Sequence, residues 1–223
     1  MNLKKFPIVG VGSSAGGLEA LEQLFRNTPE NCGFAFVLVS HLSPDHVSML
    51  SEILQRVTKL TVLEAQDQMQ VLINHVYTIP PNRDMGIFKG KLQLSIPIEP
   101  HSFRLPIDQF FESLAFDQGN NAIGIILSGT GTDGTLGLRY IIESGGFSMV
   151  QESASAKYDG MTSSAINAGY ANFILPVEEM STFIITKISI KKSGQGNNLP
   201  ISSKTNQLKK HSLVRMTLIK KIY

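Results

Sequence analysis

Short apolar runs alternate along this chain with stretches in which apolar residues recur at helical spacing. The stretch 17–25, for example, repeats leucine every three residues, as an amphipathic helix does. Strand-like apolar runs occupy residues 6–12, 34–40, 122–128, 147–151 and 170–175. Strands that alternate with helices predict βαβ units. The predicted fold class is therefore α/β, with a doubly wound, mainly parallel sheet and helices on both faces.

The pattern changes between residues 60 and 98, where the apolar runs become shorter. The segment 87–92 predicts a hairpin with Lys89 and Gly90 near its turn. We expect residues 60–98 to form a small antiparallel β extension outside the main sheet. After the second strand, Ser43 and Pro44 are typical of a helix start. Further helices are predicted at 106–116, 134–144, 163–168 and 177–188.

Composition is that of an ordinary globular protein, with 42% hydrophobic and 17% charged residues in a chain of 223. The single cysteine, Cys32, excludes an internal disulfide and favours a reducing compartment. The apolar stretch near the N-terminus contains Pro7 and two glycines and continues into a predicted core strand, which is unlike a signal peptide. No apolar run approaches the roughly 20 residues that span a bilayer. The sequence predicts a cytoplasmic protein.

Charge is distributed unevenly along the chain. Residues 180–223 contain eight lysines, one arginine and no acid, a charge of +9, which leaves −7 on residues 1–179 because the whole chain carries +2. An acidic body argues against a nucleic-acid-binding face. The predicted elements end near residue 190, and residues 193–198 have the composition of a flexible linker. We therefore predict one folded domain over residues 1–190, and a basic linker and tail over residues 191–223 that is either disordered or a short helix.

Three reactive residues each follow one of the predicted strands. They are Ser14, His41 and Asp133. Ligands of open α/β sheets bind in the crevice at the carboxyl ends of the strands. A nucleophile, a base and an acid delivered to that edge are what serine-type hydrolysis requires. The order along the chain, Ser, His, Asp, differs from that of α/β-hydrolases, so a distinct doubly wound sheet is expected.

Ser14 lies within a Gly-x-Ser-x-Gly pattern, flanked by Gly12 and Gly16. This pattern is typical of a nucleophile elbow, a tight strand-to-helix turn that tolerates only small residues two before and two after the serine. Free backbone N–H groups at the start of the following helix can hold an oxyanion, which makes the Ala15 amide the first candidate donor. The glycine-rich loop 128–135 offers a second candidate, the amide of Thr130.

Alternative interpretations exist for two of these features. The glycines at 10, 12, 16 and 17 also resemble a dinucleotide-binding loop, which expects an acid at the end of the second strand. This chain has Ser40 and His41 there, and hydrolysis is favoured for that reason. Asp133 also has the position of an N-cap for the helix that follows it, a role compatible with catalysis. No group of His, Cys and acidic residues has metal-ligand spacing.

The sequence resembles the catalytic domain of the CheB-type chemotaxis protein-glutamate methylesterases, in particular the esterase module of methylesterase/methyltransferase hybrid proteins. Three motifs carry the resemblance, and shorter ones at 80–83, 104–108 and 158–161 extend it over residues 6–180. The three are Val9-Gly-Val-Gly-Ser-Ser-Ala-Gly-Gly17, Ser40-His-Leu-Ser-Pro44 and Ile126-Leu-Ser-Gly-Thr-Gly-Thr-Asp-Gly134.

The resemblance implies hydrolysis of γ-glutamyl methyl esters on the cytoplasmic helices of chemoreceptors, with methanol released, and deamidation of certain receptor glutamines. It implies Ser14 as nucleophile, His41 as general base and Asp133 as the residue that orients the base. No cofactor and no metal are expected. The implied partners are methylated chemoreceptor helices and a receptor methyltransferase, with no nucleic acid and no membrane insertion.

Departures from the family pattern qualify these expectations. Ala15 stands where the family often has threonine, and Thr162 replaces a common proline. No phosphorylatable receiver domain precedes the match, so regulation by phosphorylation in cis is not expected. The alternatives to an esterase are a catalytically quiet module that docks on receptors and a dinucleotide-binding domain.

Overall fold

Within the part of the chain that the structure describes, seven parallel strands form the central sheet and two more form a hairpin. The computed structural model describes residues 6–40, 49–97 and 104–193. The strands are β1 (Ile8–Ser13), β2 (Ala35–Ser40), β3 (Thr61–Glu64), β4 (His75–Thr78), β5 (Asp84–Phe88), β6 (Lys91–Ser95), β7 (Ala122–Ile126), β8 (Phe147–Gln151) and β9 (Phe173–Leu175). The sheet has the order β3-β4-β2-β1-β7-β8-β9, and each neighbouring pair is parallel.

Helices connect most of these strands. They are α1 (Gly17–Arg26), α2 (Leu50–Gln55), α3 (Pro106–Gln118), α4 (Thr135–Glu143), α5 (Gly160–Asn167) and α6 (Val177–Ser193). Every residue of β1 and β7 is buried, which is why both read as continuous apolar runs in the sequence. The predicted fold class, a mainly parallel α/β sheet with a small antiparallel extension, is confirmed.

At β1 the chain stops adding strands on one side of the sheet and begins to add them on the other side. The chain passes from β1 to β2 on one side and later returns to place β7 on the other side. A crevice forms outside the carboxyl ends of the strands at such a switch point, and it is the usual ligand site of open α/β sheets. The segments that leave β1 and β7 at this edge begin at Ser14 and at Leu127.

The prediction for residues 60–98 is correct only in part. β5 and β6 form the predicted antiparallel hairpin, with Lys89 and Gly90 in its turn at φ values of 52° and 72°. β3 and β4, in contrast, are parallel strands of the main sheet. Their shortness concealed this, because each has only four residues and β3 is largely exposed at the sheet edge.

Several predicted boundaries shift by a few residues. α5 begins at Gly160 rather than Ser163, β9 begins at Phe173 rather than Tyr170, and α6 continues to Ser193. The predicted helix start at Ser43 and Pro44 lies outside the described residues. The described residues up to 185 belong to one compact unit, and the described part of a second unit, residues 186–193, is helical. The boundary at residue 190 and the character of the tail stay predictions.

Helix α3 packs closely against β1 because β1 carries glycine where the two elements meet. A Cβ on Gly10 would lie 2.8 Å from Cε1 of Phe111, and one on Gly12 would lie 2.5 Å from Cγ2 of Ile107. Contacts this short leave no room for a methyl group. The glycines of β1 therefore bring the start of α3 to the edge of the sheet where β1 ends. Within the described ranges, no helix is long and apolar enough to cross a bilayer.

Candidate active site

Ser14 lies in the turn between β1 and α1, half-buried at the switch point of the sheet. Its backbone N–H donates to the carbonyl of Ser128 at 3.0 Å, and its own carbonyl accepts from the amide of Gly17 at 2.9 Å. The first bond joins the segments that leave β1 and β7. The second closes the turn that starts α1, so the backbone of Ser14 is fixed from both sides.

The glycines that flank Ser14 are required by their surroundings. Besides the contact of Gly12 with α3, Gly16 has a φ of +72°, and a Cβ there would lie 2.9 Å from Cβ of Lys157. These contacts agree with the small residues that a nucleophile elbow demands. They also remove the argument for a dinucleotide loop, because Gly10 and Gly12 face the side chains of α3 rather than an open surface.

Asp133 is buried in the loop that follows β7 and bonds the first turn of α3. Its Oδ2 accepts from the amide of Ile107 at 3.0 Å, and its Oδ1 accepts from Asp108 at 3.0 Å and from Gly134 at 2.8 Å. Three N–H donors stabilise the negative charge and fix the plane of the carboxylate. The predicted N-cap role at α4 is wrong, because α4 has no side-chain cap. Asp133 instead binds the first turn of α3, whose Asp108 amide is 25 residues away in sequence.

Asp108 is a second buried acid beside Asp133, for which the sequence predicts no role. Its Oδ1 accepts from the amide of Gly137, in the first turn of α4, at 2.6 Å. Burial raises the pKa of Asp108 from 3.8 to about 6, and the nearby charge of Asp133 contributes to the increase. The one available signal was an acid between the core residues Ile107 and Phe110 of α3.

Asp108→Asn is expected to stabilise the protein above pH 6 relative to wild type. A carboxyl with a raised folded-state pKa binds its proton more tightly when folded, so its contribution to stability is full below pH 3.8 and is lost as the pH rises through about 6. Asparagine keeps an acceptor for Gly137 and has no charge to bury. The gain should grow between pH 4 and 6 to at most about 3 kcal/mol. Urea unfolding of both proteins at each pH measures it, and a gain that does not change with pH would contradict the assignment.

Ser128 ties three segments together at this edge of the sheet. Its carbonyl accepts from Ser14, and its hydroxyl lies 3.0 Å from the carbonyl of Ala15 and accepts from the amide of Tyr158 at 3.0 Å. Its amide donates to Oε1 of Gln151 at 2.9 Å. Ser128 lies in one of the three sequence motifs, which predicts no role for its side chain. Its contacts make it the residue that positions the Ser14 turn.

Ser128→Ala should lower any activity that depends on Ser14, and also stability, because the Tyr158 amide loses its acceptor and the Ala15 carbonyl loses a donor. We expect a stability loss of about 1–3 kcal/mol and an activity loss of roughly tenfold per folded molecule. Ser148→Ala is the matched control. The Ser148 hydroxyl, in β8, is equally buried, but it bonds Tyr170 and Asn172, which precede β9 and are not part of the Ser14 turn. Equal activity losses in the two variants would contradict a positioning role for Ser128.

The candidate oxyanion donors are the amides of Ala15 and Thr130. Within the described part of the chain, neither amide donates to a protein acceptor. The neighbouring amide of Gly129, by contrast, donates to the carbonyl of Tyr158 at 2.9 Å. A Cβ on Gly129 would lie 3.0 Å from Cβ of Ser14, so the backbone of this loop lies directly against the Ser14 side chain.

His41 lies outside the described residues. The register of the sheet nevertheless places the last residue of β2, Ser40, beside Ser13 at the end of β1. The structure thus brings Ser14 together with the loop that carries Thr130 and Asp133. Among the described residues, no group of three or more His, Cys, Asp or Glu side chains is arranged to hold a metal ion.

Comparison with known proteins places these features in a family. The family model for the CheB methylesterase matches residues 9–184. A protein-glutamate methylesterase/protein-glutamine glutaminase of Photorhabdus laumondii is 30% identical over 192 residues, which are 84% of this chain and 54% of that protein. The Salmonella typhimurium protein of the same name is 29% identical over 82% of this chain and 53% of its own length. The chain thus spans about half the length of the curated relatives it matches.

A solved structure supports the same assignment at the level of the fold. The crystal structure of the Thermotoga maritima CheB methylesterase catalytic domain superposes with a TM-score of 0.77 at 30% identity. The match covers 82% of this chain and all of that domain. The family match extends from β1 into α6 and includes Ser14, Ser128 and Asp133. This chain belongs to the CheB methylesterase family.

Proposed function

We propose that this protein is a serine-type protein-glutamate methylesterase that hydrolyses γ-glutamyl methyl esters on chemoreceptors and releases methanol in chemotaxis signalling. The observation that carries the proposal is the bond between the Ser14 amide and the Ser128 carbonyl at the switch point. That bond puts the elbow of β1 against the loop that holds Asp133, in a chain of the CheB methylesterase family. The names of its relatives also support deamidation of receptor glutamines as a second reaction.

In the proposed reaction, the hydroxyl of Ser14 attacks the ester carbonyl while His41 takes its proton. Asp133 orients His41 and stabilises its charged form. The amides of Ala15 and Thr130 stabilise the oxyanion of the tetrahedral intermediate. When the intermediate collapses, His41 gives the proton to the departing methoxide, which leaves as methanol. A glutamyl ester remains on Ser14. Water activated by His41 then hydrolyses this ester and regenerates the serine. No cofactor is needed.

The environment of Asp133 supports the orienting role. Both of its oxygens accept N–H groups at the start of α3, so its side chain cannot rotate without breaking several hydrogen bonds. An acid fixed in this way can hold an imidazole in one orientation and one tautomer, which a freely rotating carboxylate could not do. The first turn of α3 therefore contributes to the proposed mechanism, because its backbone N–H groups hold Asp133 in place.

The proposal extends to partners and place of action. The substrate would be the methylated cytoplasmic helices of a chemoreceptor, and a receptor methyltransferase would supply the ester that this enzyme removes. The protein would act in the cytoplasm, where those helices lie. Residues 1–190 would form the catalytic domain, and residues 191–223 a basic extension that takes no part in ester hydrolysis.

The decisive experiment measures methanol release from a methylated chemoreceptor cytoplasmic fragment by gas chromatography. Release by the wild-type protein is the expected result. A catalytically quiet docking module would bind the fragment without releasing methanol and would leave Ser14 unreactive toward a fluorophosphonate. A dinucleotide-binding domain would instead give a heat of binding on titration with NAD(P), which the proposed esterase should not.

A further inference from the structure

Helices α3 and α4 cap each other's N-termini through two buried acids. Asp133 precedes α4 and accepts from the Ile107 and Asp108 amides in the first turn of α3. Asp108 belongs to that first turn and accepts from the Gly137 amide in the first turn of α4. The backbone of Asp108 thus donates to Asp133, while its side chain holds the helix that follows Asp133. The hydrogen bonds form a closed ring around the two carboxylates.

The ring leaves little freedom for one helix to move without the other. A Cβ on Gly137 would lie 2.6 Å from Cβ of Phe111 and 3.0 Å from Cα of Asp108, so the two helices are in close backbone contact. The N–H of Gly134, between Asp133 and α4, donates to the same oxygen as the N–H of Asp108. A displacement of the start of α4 would therefore displace Asp133 relative to its donors on α3.

We propose that Asp108 is a positioning residue that fixes the Asp133 carboxylate for the esterase reaction by anchoring the first turn of α4 to α3. This inference rests on the proposed function, because it assigns Asp133 the task of orienting the base. Asp108 touches Asp133 and Gly137 and has no described contact with Ser14. It acts through an acceptor oxygen rather than through its charge, which predicts that asparagine can replace it and alanine cannot.

The activity test compares Asp108→Ala with Asp108→Asn. Asp108→Ala should lower kcat for methanol release about 10- to 100-fold with KM nearly unchanged, because misplaced catalytic groups affect the reaction rather than binding. Asp108→Asn should recover most of the wild-type rate. Asp117→Ala is the matched control, since Asp117 is on the same helix and accepts the amides of Lys89 and Gly90 at its far end. Loss of activity in Asp108→Asn equal to that in Asp108→Ala would overturn the proposal.

A double-mutant cycle separates positioning of Asp133 from general damage. On an Asp133→Asn background, Asp108→Ala should lower kcat by less than a further factor of about two, because the carboxylate that Asp108 positions is already absent. A full additional loss would show that Asp108 acts elsewhere and would overturn the inference. These comparisons are interpretable only if the wild-type protein releases methanol, so failure of the proposed function is recognised first and independently.

A measurement without substrate tests the coupling itself. Amide hydrogen exchange followed by NMR, corrected for the intrinsic rate of each sequence, should show faster exchange at residues 107 and 108, the donors to Asp133, in Asp108→Ala but not in Asp108→Asn. Neither amide donates to the deleted carboxyl, so faster exchange there reports a displaced Asp133. Wild-type exchange at both amides in Asp108→Ala would contradict the proposal whether or not the protein is an esterase.

Discussion

Ser14→Ala is expected to lower the rate of methanol release by at least about 10⁴-fold while leaving the fold intact. Loss of the nucleophile removes the covalent step, and only the binding and the oxyanion donors continue to act. The side chain is half-buried in a turn held by backbone hydrogen bonds, so removing one hydroxyl should barely change stability. Receptor binding and thermal unfolding should match those of the wild type.

Ser13→Ala is the control for this variant. Ser13 is the last residue of β1 and is 2% exposed, and it is the serine next to Ser14 that does not fit the elbow pattern, because Val11 lies two residues before it. We expect Ser13→Ala to retain esterase activity and Ser14→Ala to lose it. The reverse result would move the nucleophile by one residue. Retained turnover in both variants would exclude a serine nucleophile in this turn.

Asp133→Asn is expected to have the second-largest effect, a fall in kcat of about 10³- to 10⁴-fold together with a loss of stability. Both oxygens of Asp133 already accept backbone N–H groups. An amide has one oxygen, so its NH₂ group must face an N–H donor of α3 or of Gly134. The unmet donor should cost about 1–3 kcal/mol. Urea unfolding and methanol release on the same preparation measure the two losses.

The contributions of charge and of capping can be separated. Asp117→Asn also gives an amide in place of a carboxylate that accepts two backbone N–H groups, but at the hairpin turn. It should lose stability and keep kcat. If Asp133→Asn behaves in the same way, Asp133 is a structural cap and does not take part in catalysis. A loss of kcat confined to Asp133→Asn supports its place beside His41.

The central strands could be predicted from the sequence because both of their faces are buried. β1, β2 and β7 are continuous apolar runs bounded by glycine or polar residues, and their order with the helices specified a mainly parallel sheet. β3 and β4 were placed in the wrong part of the structure. Each pairs over four residues or fewer, and a strand of that length looks the same in an extension as in the main sheet.

The site residues were predictable only where they follow strands. Ser14 and the loop of Asp133 lie together because β1 and β7 are neighbours, which the strand-end rule anticipated without knowing the strand order. The roles of Ser128 and Asp108 could not be predicted because their partners lie 23 or more residues away along the chain. No local pattern indicates that the carboxylate bound to the first turn of α3 comes from Asp133, two residues before α4. His41 remains a prediction from its motif.

The measurement that tests the central claim most directly follows methanol and receptor together. A methylated chemoreceptor cytoplasmic fragment is incubated with the wild type and, in parallel, with Ser14→Ala, and mass spectrometry counts the methyl esters that remain on its glutamates. We predict one methanol for each ester lost with the wild type, and no loss with Ser14→Ala. Equal ester loss with both proteins would contradict Ser14 as the nucleophile. Intact esters with a wild type whose Ser14 still reacts with a fluorophosphonate would contradict receptor glutamyl esters as the substrate.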